Sequence, residues 1–167
     1  NFDRVAPRQD TILFECYWGK KFADNPLALY RQLVRTQPQG TFRIIWVTSA
    51  TEKPPQEISG NPDVTLVGHG TAEYGIALLT AGYLINNVTF GPYFIRRPNQ
   101  RYCNTWHGIP MKAMGRDMAA PLISMANSQR NFLQADVILE MSDFYQWATI
   151  RPNYVDQLTA SAMVQCG

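Results

Sequence analysis

Short apolar runs and amphipathic stretches alternate along the chain. The run TILFECYW, bounded by Gly19 and Lys20, mixes β-branched and aromatic residues over a strand's length and predicts a buried strand. Asn25 then stands as a cap before Pro26, and Leu29, Leu33 and Val34 form one apolar helical face that Pro38 and Gly40 bring to an end. FRIIWVTS and VTLVG predict the next two strands, with a Pro- and Gly-rich surface connection between them. Gly68, His69 and Gly70 make a turn into Thr71, whose hydroxyl can cap the helix AEYGIALLT. Strand YLINN follows, then a long aromatic loop, NVTFGPYFIRRPNQ, and the strand RYCNTW. HGIPMKAMG reads as a tight turn into a short helical stretch, and Pro121 opens a helix to about Leu133. DVILEM is the next strand, and Ser142 with Asp143 caps a helix from Phe144. The closing stretch LTASAMVQCG carries a mildly apolar helical pattern.

Strand and helix alternate at crossover lengths that favour parallel pairing, so the expected fold class is α/β, a Rossmann-like, doubly wound and mainly parallel sheet. Residues 1–10 read as a polar N-terminal extension and 11–167 as one domain, in keeping with 167 residues at 46% hydrophobic content. Both ends read as cut, as expected of a segment from a longer protein. No apolar run reaches the roughly 18 residues that span a bilayer.

Open α/β sheets bind ligands where strands end at their carboxyl edge, which draws attention to the residues following each strand. Gly19 and Lys20 follow the first, His69 the third, Asn86 and Asn87 the fourth, and His107 the fifth. The chain has two histidines, and both fall at strand ends. His107, between Trp106 and a Gly-x-Pro turn, suits a general base on a hydroxyl nucleophile, while a turn-fixing imidazole is the structural alternative. His69 in Gly-His-Gly needs no chemistry to explain it.

A net charge of +2 argues against a nucleic-acid partner, but its distribution is uneven. Between Glu73 and Asp117 no acidic residue occurs, while Arg96, Arg97, Arg101, Lys112 and Arg116 all do. Cations without nearby acids suit a phosphate or polyanionic ligand, and Lys20 and Lys21 extend that rim if the first and fourth strands are neighbours. Three scattered cysteines, Cys16, Cys103 and Cys166, fit neither a disulfide framework nor a zinc site. Neither a dinucleotide fingerprint nor a Walker A sequence is present, so no cofactor or metal is expected.

FECYWGKKFADNPLALY, then YLINN, a loop with PYF, and TWHGIPMKAMG together resemble the CDP-glycerol glycerophosphotransferase family, which comprises teichoic acid polymerases and primases and related capsule polymerases. The likeness runs from about Thr11 to Thr149. It implies half of a GT-B type two-domain transferase, the N-terminal, acceptor-side domain, with the C-terminal nucleotide-binding domain absent from this chain. The implied reaction moves glycerol phosphate or ribitol phosphate from a CDP-linked donor to a hydroxyl of a polyanionic or lipid-linked acceptor and releases CMP. The family's histidine in TWHG carries over to His107; Gly19, Lys20, Asn87, Arg96, Arg97, Arg101, Thr105, Gly108 and Lys112 become expected substrate contacts. Peripheral placement at the cytoplasmic face of a bacterial plasma membrane is implied by the same analogy. Ile109 and Ala113 depart from the family pattern, where Thr or Ser and Lys are usual, and this bears on the acceptor rather than the reaction. A non-catalytic polymer-binding module and a nucleotide-sugar transferase of the same architecture are the competing readings.

Overall fold

The structure, a computed structural model, describes residues 5–49, 51–119, 123–153 and 162–165. Among the described residues, seven strands form one sheet, parallel throughout: β1 (Arg8–Glu15), β2 (Arg43–Thr48), β3 (Val64–Gly68), β4 (Ala81–Asn86), β5 (Arg101–Asn104), β6 (Val137–Glu140) and β7 (Ala162–Gln165). Their order is β3-β2-β1-β4-β5-β6-β7. The chain first winds outward from β1 to β3, then returns to the other side of β1 as β4. Direction therefore reverses between β1 and β4, where Glu15 is in register with Asn86.

Successive crossovers bury both sheet faces. Helices α1 (Asp24–Thr36) and α2 (Gln56–Ser59) cover one face, where Ile12, Phe14, Ile44 and Trp46 meet Leu27, Tyr30 and Ile58. Trp46 is fully buried and stacks on Phe14 at 5.2 Å. Helices α3 (Ala72–Thr80) and α4 (Ile123–Gln134) lie on the other face, over Leu13, Leu84, Tyr102 and Ile138. Since β1 is buried on both faces, its apolar residues run continuously instead of alternating. The Asn87–Gln100 connection replaces a helix: Phe90 and Phe94 pack on Tyr102 and close that core.

Thr71 caps α3 by accepting from Tyr74 N, as the sequence predicts, and Ser142 likewise accepts from Tyr145 N at the start of α5 (Asp143–Tyr145). Other elements differ. The first strand begins at Arg8 and ends at Glu15, and Tyr17–Gly19 turn away from the sheet. Helix α1 starts at Asp24 after an Ala23 N-cap with no side-chain capping bond, because the Asn25 amide reaches Thr105 O at 3.4 Å instead. Its buried face is Pro26, Leu27 and Tyr30; Leu29 and Leu33 pack partly against the core, and Val34 is exposed. In the stretch predicted helical at the end, Ala162–Gln165 pairs with β6 as strand β7. Pro121 and Cys166 lie outside the described residues.

Candidate active site at the carboxyl ends of β1, β4 and β5

Beyond Asn104 the chain is steered by buried polar groups. Thr105 N donates to Asn86 O at 2.8 Å, and Asn104 Oδ1 accepts from Trp106 N at 2.9 Å. Trp106 takes φ of 48° and Gly108 φ of 114°, so the backbone folds sharply on either side of His107. This bend buries the Trp106 indole while leaving the imidazole exposed, and the two rings stack at 4.4 Å. The Tyr17 ring lies on another side of His107 at 5.8 Å. The rings beside it shield the imidazole from part of the solvent and lower its pKa, opposed by a contact with its own backbone and by the Asp24 carboxylate; the net direction is down. His107 is therefore mainly neutral at pH 7 and able to accept a proton.

The end of β1 forms the facing wall. Tyr17, Trp18, Gly19 and Asp24 all have positive φ, at 48°, 57°, 75° and 60°. Left-handed backbone in non-glycine residues costs about 1–3 kcal/mol each and gathers where structure over-determines it. Here the determinant is Asn87, fully buried: its Oδ1 accepts from Tyr17 N at 2.9 Å and its Nδ2 donates to Asp24 Oδ2 at 3.1 Å. Tyr17's hydroxyl donates to the same carboxylate oxygen at 2.8 Å. Burial and then the carboxylate push that hydroxyl up to about 12, and burial pushes the Cys16 thiol up to about 11.

A polar layer lies beneath, on the α3 and α4 side. The Tyr102 hydroxyl donates to Asn86 Oδ1 at 2.9 Å and accepts from Asn104 Nδ2 at 2.8 Å. Glu15, at the end of β1, is fully buried with both carboxyl oxygens lacking a hydrogen bond of ordinary geometry, and the Tyr74 hydroxyl interacts with it in the same way. Burial pushes Glu15 up to about 8. The sequence signal was available: a glutamate closing a run that is otherwise apolar at the switch point.

The expected site residues separate into two groups. Gly19, Lys20, Asn87, Thr105, His107 and Gly108 all follow the carboxyl ends of β1, β4 and β5. Within that group, Asn87 and Thr105 spend their polar atoms internally; Thr105 Oγ1 donates to Asn86 O at 3.3 Å. Gly19 is required by the protein's own backbone, since a Cβ there would lie 2.8 Å from Thr48 C. Lys20 is exposed, with Nζ 5.7 Å over the Trp18 ring, and Lys112 is exposed on the segment after His107. His69 packs on Tyr74 at 4.9 Å and donates its backbone N–H to Thr48 O.

Arg96, Arg97 and Arg101 do not surround His107. A parallel crossover must carry the chain from the carboxyl end of one strand to the amino end of the next, so the close of the Asn87–Gln100 loop and the first residue of β5 land at the opposite edge. There Arg96 and Arg101 pair with Asp136 at 3.4 and 3.3 Å, and Arg97 donates to Leu79 O at 2.9 Å. Arg116 lies 3.9 Å from Asp117. The cation-rich interval in sequence is not one surface. Among the described residues no group of three or more His, Cys, Asp and Glu is placed to hold a metal ion.

Comparison with known proteins places this geometry in context. The family model described as CDP-Glycerol:Poly(glycerophosphate) glycerophosphotransferase matches residues 2–158. The chain is 31% identical over 133 residues to a teichoic acid poly(glycerol phosphate) polymerase of Staphylococcus epidermidis, a match covering 78% of this chain and 17% of that protein. It is 31% identical over 135 residues to the protein of the same description from Bacillus spizizenii, covering 78% of this chain and 33% of the relative. Among solved structures, a variant of the wall teichoic acid polymerase TagF soaked with CDPG superposes with a TM-score of 0.79 at 23% identity, over 100% of this chain and 41% of the other. The chain thus spans well under half the length of these relatives.

Proposed function

The chain belongs to the CDP-glycerol:poly(glycerophosphate) glycerophosphotransferase family, and from that membership we propose that it forms the acceptor-side domain of an enzyme transferring glycerol phosphate from CDP-glycerol to a poly(glycerol phosphate) chain or lipid-linked primer. The observation carrying this reading is His107, a neutral imidazole braced by Trp106 and Tyr17 at the switch-point edge of the sheet. His107 takes the proton of an acceptor hydroxyl as its oxygen attacks the phosphorus that bears glycerol. The new P–O bond forms in line with the breaking bond to the CMP phosphate, and CMP departs with the electron pair. Lys20, following β1, and Lys112, on the segment after His107, are both exposed and offer positive charge to the anionic chain or donor phosphates. The cytidine half of the donor falls to a second, nucleotide-binding domain of a GT-B architecture.

We place the enzyme as a peripheral protein at the cytoplasmic face of the bacterial membrane, where lipid-linked acceptors present their hydroxyls. No helix among the described residues is long and apolar enough to cross a membrane. Exposed Ile109 and Met111 after β5, with Phe144 and Trp147 after β6, supply apolar side chains suited to such contact.

The test is donor selection by the native gene product with a glycerol phosphate oligomer as acceptor. CMP release and chain extension are expected with CDP-glycerol. Transfer from a UDP-sugar with none from CDP-glycerol would establish the nucleotide-sugar reading, and transfer from CDP-ribitol alone would change the alditol. Acceptor binding without transfer would leave a polymer-binding module.

A further inference from the structure

Two independent contacts hold the Asp24 carboxylate, and one of them, through Tyr17, links it to His107. Asp24 is the first residue of α1 and stands at φ of 60°, outside the helical region. Two donors of different origin meet on its Oδ2: the Tyr17 hydroxyl at 2.8 Å and Asn87 Nδ2 at 3.1 Å. Tyr17 in turn lays its ring against the imidazole at 5.8 Å. The next residue, Asn25, ties the start of α1 to Thr105 O at 3.4 Å, two residues ahead of His107. Sequence-local capping of α1 is given up in favour of this arrangement.

We propose that Asp24 is the positioning residue of His107: its carboxylate, clamped by Tyr17 and Asn87, stabilises the imidazolium that forms when His107 takes the acceptor's proton. The proposal rests on the reading of His107 as general base and adds its electrostatic partner. Among the described residues, the titratable groups facing His107 are Asp24 and the Tyr17 hydroxyl, with the Cys16 thiol behind Asn87. Tyr17 and Cys16 are pushed up to about 12 and about 11, so both stay neutral near pH 7. Trp106 on the stacked face carries no charge. Asp24 is left as the group whose charge favours the protonated ring, and it opposes the burial that lowers the imidazole's pKa.

The chain holds only two histidines, so proton NMR resolves both imidazole titrations without donor or acceptor present. Asp24→Asn keeps the size and the tolerance for left-handed backbone and removes the charge. Expected is a fall of the His107 midpoint by about half a pH unit, with His69 unmoved as the control for folding. In the transferase assay the acid limb of the pH profile should move down equally, with KM for donor unchanged. An unchanged or raised His107 midpoint overturns the proposal, whatever the outcome for transferase activity. Should the variant not fold, the wild-type chain decides: salt screens the attraction to Asp24, so the midpoint should fall as ionic strength rises, and a constant or rising midpoint refutes the assignment.

Discussion

The ring of Tyr17 lies 5.8 Å from the imidazole of His107, tilted by 39°. Tyr17 follows β1 and His107 follows β5, two strands with β4 between them. Their meeting means that the chain crosses over the carboxyl end of β4 from both sides, and the residue it crosses is Asn87, which accepts from Tyr17 N at 2.9 Å.

Asn87 should therefore be structural rather than a ligand contact. Asn87→Ala leaves Tyr17 N without its acceptor, removes one of the two donors on Asp24 Oδ2 and should cost roughly 1–3 kcal/mol by urea denaturation. Asn87→Asp should be worse above the carboxylate range, since it sets a second negative charge against Asp24, and its deficit should shrink on acidification.

Glu15 predicts an inverted pH dependence. Its carboxyl is pushed from an ordinary value near 4.5 up to about 8 by burial. The folded state then holds a proton that the unfolded chain releases above about 4.5, so this contribution is complete below that pH and is lost as pH rises toward 8. At about 1.4 kcal/mol per unit the loss amounts to as much as roughly 5 kcal/mol. Chemical denaturation at a series of pH values should show stability declining across this window, and Glu15→Gln should flatten the slope.

Gly19 is demanded by two constraints at once: φ of 75° and the approach of Thr48, whose carbonyl carbon would lie 2.8 Å from a Cβ. The atoms met, Thr48 C and Cα and Ser49 N, are all backbone, so none can rotate away. Gly19→Ala should cost more than about 1 kcal/mol and lower the melting temperature, whereas Gly40→Ala, which meets nothing within 4 Å, should pay only for its left-handed φ.

Much of this arrangement was legible in the sequence. Apolar runs located the strands because a parallel sheet buried on both faces leaves nothing to alternate, and the Thr71 and Ser142 caps depend on neighbours three residues away. What failed was long-range. Asn25 reads as a cap until Thr105 takes its amide, and Ala162–Gln165 reads as helix until β6 offers an edge. Likewise, proximity in sequence put the arginines near His107, whereas the direction of the crossover set them at the other end of the sheet. The sequence shows the Asp24 and Glu15 carboxylates but not what faces them, since Asn87 follows β4 and Tyr74 lies on α3.

Arg101 provides a control for that geometry. Its side chain is 71% exposed, and its 3.3 Å pairing with Asp136 is shared with Arg96. Arg101→Ala should cost less than about 1 kcal/mol and leave transfer unaltered. Lys20→Ala, after β1, and Lys112→Ala, on the segment after His107, should instead weaken acceptor binding and flatten its salt dependence.

The most direct measurement of the central claim is turnover by the native gene product after His107→Ala, followed as CMP released from CDP-glycerol in the presence of a glycerol phosphate oligomer. With folding verified by circular dichroism, turnover should fall by about 100- to 10,000-fold, the range for loss of a general base. A rate equal to wild type would contradict the assignment of His107 as that base.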